Sequence, residues 1–194
     1  MNIYGAEIFV EKIQGNGNLN FILIHNAGGN HHFFTHQIEL LKKYGNVIWL
    51  DLPGHGESQC VSGYQMNDLS LIVNKICENL TLQNICLIGL NNGADIVIDI
   101  AFNYSLQIKS IILIDPPLFM EKSFTGEINE FIKQLDLEHE NYEKFVISLV
   151  DALFIETDQY NKEIAIHGIL SISQGKRRII LIATSHEPLR MGIF

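Results

Sequence analysis

The sequence predicts an α/β fold, a mostly parallel β-sheet flanked by helices, and two features carry that expectation. Short unbroken apolar runs recur along the chain, and the segments between them have helical periodicity. The runs are residues 20–25, 46–51, 84–89, 109–115 and 178–183. Each is continuous rather than alternating, as a strand covered on both faces of a parallel sheet must be. Strands alternating with helices in this way require right-handed crossovers.

Taken in order, the first 19 residues break the rhythm. Ile8 and Val10 alternate with charged neighbours ahead of the turn Gly15-Asn16-Gly17, which predicts an antiparallel strand at the sheet edge. Phe34, Ile38, Leu41 and Tyr44 then mark a first helix, and Leu69, Ile72, Ile76 and Leu80 a second. Ala94 to Ala101 is apolar on nearly every side, so this third helix is expected against the sheet centre with little water contact. From 123 to 176 only helical pattern remains. There Tyr142, Phe145, Val146, Leu149, Leu153 and Phe154 form one apolar stripe, and the segment reads as a helical lid within a single domain spanning 1–194.

Composition narrows the function. With 194 residues, 47% hydrophobic and 18% charged, the chain supports one well-buried core. A formal charge of -9, with Lys176-Arg177-Arg178 as the one basic run, repels phosphate-rich partners, so no nucleic acid is expected. The apolar runs are far shorter than the roughly 20 residues that cross a bilayer. No membrane association is expected, and the start Met1-Asn2-Ile3-Tyr4-Gly5 lacks the features of a secretory signal. Cys60, Cys77 and Cys86 have neither disulfide-framework nor zinc spacing; Cys77 and Cys86 read as packing residues, and the cytoplasm is the expected compartment.

In an α/β sheet the chemistry collects at the carboxyl ends of the strands. Three such ends are informative. The first carries His25-Asn26-Ala27-Gly28-Gly29, the second Asp51-Leu52-Pro53-Gly54-His55-Gly56-Glu57-Ser58, and the third Gly89-Leu90-Asn91-Asn92-Gly93 directly before a helix. In order and spacing these motifs resemble the α/β-hydrolase family. Leu113-Ile114-Asp115-Pro116-Pro117, the lid segment and the run at 178–183 fit the same pattern.

The resemblance implies a nucleophile elbow at Asn91, with Gly89 and Gly93 leaving room for strand and helix to approach closely. It implies oxyanion N–H donors at Asn92 and at Ala27, or Asn26. It places the acid at Glu187 in Ala183-Thr184-Ser185-His186-Glu187-Pro188-Leu189, with Asp115 as the alternative. Asn91 departs from the family, which has serine there: a neutral amide has no proton that a base can remove to make a nucleophile. The family's general base would follow a further strand and helix, whereas the sequence stops at Phe194, and no residue matches it. His25 and His55 read as structural; His31, His32 and His36 are expected to be solvated or to line the cleft mouth; His186 stands beside the acid position.

His32 and His36 have zinc-like i, i+4 spacing, but Phe33 stands where an H-E-x-x-H motif needs glutamate, so no metal and no cofactor are expected. The expected function is a degenerate hydrolase that keeps a ligand cleft for a small molecule. The alternatives are an active hydrolase of small esters or thioesters with a non-standard nucleophile or a partner-supplied base, and a non-catalytic binding protein. An exposed edge at 178–183 would favour a homodimer.

Overall fold

The computed structural model describes residues 1–60, 66–116, 139–153 and 159–170. Among these residues the centre is a five-stranded sheet in the order β3-β5-β4-β6-β7, formed by β3 (Val10–Ile13), β4 (Leu19–Ile24), β5 (Gly45–Leu50), β6 (Ile85–Leu90) and β7 (Ile108–Ile114). β4 runs parallel to both β5 and β6, β7 runs parallel to β6, and β3 is antiparallel to β5 at the edge. The expected edge strand is therefore present. Each described parallel strand lies within one residue of its expected position, while the 178–183 run is outside the described residues.

Burial on both faces explains why these runs are unbroken. Ile22, Ile24, Ile48, Leu50, Ile85 and Leu87 face one layer, packing on Leu69, Ile72, Val73 and Ile76 of α2 (Met66–Asn79) and Ile96, Val97 and Ile100 of α3 (Asn92–Asn103). Their alternate neighbours Phe21, Leu23, Val47, Cys86 and Ile88 face the other layer, with Ile38 of α1 (Thr35–Leu41) and Phe34 just before it. Each fully buried isoleucine or leucine contributes about 1.5–3 kcal/mol relative to exposure. Cys77 and Cys86 are buried in these layers, as their apolar settings imply.

Three local departures have plain causes. A short hairpin pairs β1 (Asn2–Ile3) with β2 (Ala6–Glu7), turning through Tyr4 and Gly5, both at positive φ as a tight hairpin turn demands. The first helix begins as a single 3-10 turn, His31–Phe34, capped by the Asn30 side chain accepting from the His32 N–H. Tyr44 is not part of that helix, because the chain has already turned towards β5, and its ring is exposed. α3 meets the expectation of a central helix: residues 96 to 100 are all buried, and only its last turn emerges.

Of the segment expected to form a lid, α4 (His139–Leu153) and α5 (Gln159–Leu170) are described. Tyr142, Val146 and Val150 recur at a spacing of four and pack with Phe145, with Ile166, Ile169 and Leu170 of α5, and with Phe33. Lys162, itself buried, closes the α4–α5 pair with an ion pair of 2.7 Å to Asp151. Among the described residues no helix is long and apolar enough to cross a membrane.

Candidate functional site

The turn between β6 and α3 is a strained elbow. Asn91 sits at φ 49° and ψ -117°, outside the regions that side chains prefer. The flanking elements hold it there. Its N–H donates to Ile114 O at 2.8 Å, tying the elbow to β7, and its carbonyl accepts from Ala94 N at 2.8 Å, starting the helix. A Cβ on Gly89 would overlap the Gly93 carbonyl, and one on Gly93 would overlap Ile24 O. Gly93 thus lets the amino end of α3 touch the end of β4, which brings the loop 25–30 beside the elbow.

The side chain of Asn91 is half-buried and turned sideways: Nδ2 donates to the carbonyl of Asp115 at 3.2 Å. Asp115 also lies at positive φ (49°), so β7 ends in a sharp turn beside the elbow. Asn92 opens α3, where the helix N-terminus favours negative charge.

Two neutral imidazoles build the neighbouring loop. His25 is fully buried; its Nε2 accepts the Leu52 N–H at 2.9 Å and its Nδ1 faces Asn26 O at 2.7 Å. His55 repeats the pattern, with Nε2 accepting from Gly28 N at 3.0 Å and Nδ1 facing Pro53 O at 3.1 Å. Both rings therefore carry the proton on Nδ1 and need a bare Nε2. Burial, the largest cause, lowers both pKa values, that of His55 to about 3.

The N–H groups of Gly28, Gly29 and His31 are all committed, to His55, Asn26 O and Asp51. Among the described residues no hydrogen bond uses the N–H of Ala27.

Asp51 is the buried anchor of the second loop. Its carboxylate accepts from the N–H of His31 at 2.7 Å, the N–H of Glu57 at 2.9 Å and the His31 ring Nδ1 at 2.9 Å. Burial pushes this carboxyl up, but the His31 ring, the two N–H groups and nearby His25 outweigh it and hold the group below its ordinary value. Gly56, at φ 45°, has no side chain because the Asp51 carboxylate occupies that space. His31 is a correction to the expected solvated trio: it is 4% exposed, bonded to Asp51 and stacked on Phe9 at 4.4 Å. His32 and His36 are exposed, as expected.

Asp95, one helical turn past the elbow, carries no motif that would single it out in the sequence. Burial raises its carboxyl to about 6, and Oδ1 is buried without a partner among the described residues. Glu187 and His186 lie outside the described residues. Among those described, no three His, Cys, Asp or Glu side chains converge as metal ligands would.

A sheet of this order, a positive-φ elbow between strand and helix, and a small-residue loop beside it define the α/β-hydrolase architecture. The chain belongs to this family: the model for the alpha/beta hydrolase fold matches residues 20–147. Over 159 residues, 80% of the chain, it is 26% identical to the pimeloyl-[acyl-carrier protein] methyl ester esterase of Wigglesworthia glossinidia brevipalpis, and it spans 60% of that curated relative's length. In structure it is similar to an esterase from Exiguobacterium antarcticum (TM-score 0.81, 21% identity, 96% of this chain and 72% of the other). A thermophilic esterase from Thermogutta terrifontis is also similar (TM-score 0.78, 20% identity, 94% and 68%). At these identities the structural likeness speaks for the fold.

Proposed function

We propose that this chain is a degenerate hydrolase, whose cleft binds a small acyl ligand through its carbonyl or carboxylate and which has weak or no ester or amide hydrolysis. One observation carries this reading: Asn91 occupies the elbow, and its amide is tethered to the Asp115 carbonyl. Covalent hydrolysis needs an oxygen or sulfur that a base can deprotonate, or an anion, and an amide nitrogen whose lone pair is delocalised supplies neither. What remains is the cradle. The uncommitted N–H of Ala27 and the N–H of Asn92 at the head of α3 are the proposed oxyanion donors, and Glu187 keeps the acid position. The 123–176 segment serves as the lid over this cleft.

The acyl class of ligand follows from the elbow's position beside two backbone donors, and the esterase names of the relatives point the same way. Titration with butyrate is expected to shift the amide resonances of Ala27 and Asn92 while leaving those of α2 in place. With p-nitrophenyl butyrate, turnover by the natural chain should equal that of Asn91→Ala. Turnover that Asn91→Ala abolishes would favour an active hydrolase instead.

A further inference from the structure

We propose that α5 is latched over the loop 25–30 beside a histidine cluster that opens the latch on acidification: neutral His32 lets the helix seat, and protonated His32 releases it. The helix sits close on the loop. A Cβ on Gly168 would come within 3.2 Å of both the Asn30 side chain and Gly28 O, and one on Gly28 within 3.3 Å of Ile169. Beside it lies a cavity of about 210 Å³ lined by Asn30, His32, Tyr160, Glu163, Ile164 and His167. At its margin the rings of His36 and Tyr160 meet at 4.9 Å. Three imidazoles therefore stand where α5 meets the body of the domain, whereas the α4–α5 tie, Lys162 to Asp151, contains none.

The charges around His32 set the sign. Its own turn supplies the His31 ring, with centroids 4.0 Å apart, and α5 supplies His167 and Glu163. Asp51 and Glu57 face it from the loop after β5, and Trp49 of β5 lies edge-on at 6.1 Å. Burial and then His31 oppose a proton on His32, and His167 adds to them; Asp51 and Glu57 favour the proton but do not prevail, so the pKa is lowered. When α5 lifts away, the His167 contribution is lost and the part of the burial that α5 supplies goes with it. The open form then binds the proton more readily than the closed one, and by linkage falling pH favours opening.

The inference does not require the elbow to catalyse anything, and its test uses no substrate. Hydrogen exchange of 159–170, corrected for intrinsic rates, is compared at about pH 7.5 and about pH 5.5, on either side of the ordinary imidazole range. In the natural chain the protection of α5 is expected to fall about threefold or more on acidification, with that of α3 unchanged. In His32→Gln the ratio between the two pH values should approach one, whatever the absolute protection. Equal protection at both pH values would overturn the proposal. So would an undiminished fall in His32→Gln, a matching fall in α3, or an α5 unprotected throughout.

Discussion

Gly93→Ala will destabilise the domain by about 3 kcal/mol, measured by urea unfolding, although alanine is the better helix former by about 1 kcal/mol. The added methyl has nowhere to go: it would overlap the Ile24 carbonyl and press on that of His25. These are backbone atoms at the end of the central strand, so no rotamer change relieves the clash. Either α3 backs away from β4 or the loop 25–30 shifts, and both separate the two proposed oxyanion donors. The same variant should therefore lose the butyrate-induced shifts at Ala27 and Asn92. A loss below about 1 kcal/mol would contradict the close approach that organises the elbow.

Acid will weaken the fold well before carboxylates titrate. His55 accepts the Gly28 N–H through Nε2, and its pKa is lowered from 6.5 to about 3. The unfolded ring takes a proton near 6.5 and the folded ring only near 3, so its contribution is complete above the first value and drains away as pH falls towards the second. The slope is about 1.4 kcal/mol per pH unit for one such group, and the whole contribution is about 5 kcal/mol. His25, also lowered by burial, acts in the same direction. Urea midpoints across this range should fall with pH in the natural chain and fall less steeply in His55→Gln, which is weaker at neutral pH but has lost the titration. Parallel slopes would show that His55 is not the titrating group.

The two imidazoles show what was legible in the sequence and what was not. Their structural character is what the resemblance of His25-Asn26-Ala27-Gly28-Gly29 and of the Asp51–Ser58 loop to the family's motifs implies. The positions of the strands were equally readable, since burial on both faces leaves only apolar choices at Ile22, Ile48 and Leu87. His31 was not readable. Its burial depends on Asp51, 20 positions away, and on Phe9 from the edge segment, contacts that local patterning does not encode. Tyr44 failed for the opposite reason: it continues the apolar spacing of α1, but the chain leaves the helix first to enter β5. Asp95 shows no sequence signal, because its partnerless buried oxygen arises from the packing around the first turn of α3.

Asn91 is where local rule and fold disagree. The glycines, the positive φ and the β7 tether all serve a turn that lifts one side chain above the sheet, yet the side chain there is an amide. A turn strained by an unfavourable φ is retained only where its surroundings enforce it. Here the cradle and the tether to Asp115 do so, and on the proposed function the shape persists without the chemistry.

Intact-mass analysis after exposure to an alkyl fluorophosphonate, which forms a stable adduct with an activated hydroxyl nucleophile, tests this most directly. The natural chain is expected to keep its unmodified mass. A stoichiometric adduct mapping to the cleft would contradict the assignment of Asn91 as an inert elbow residue and establish that another nucleophile works there.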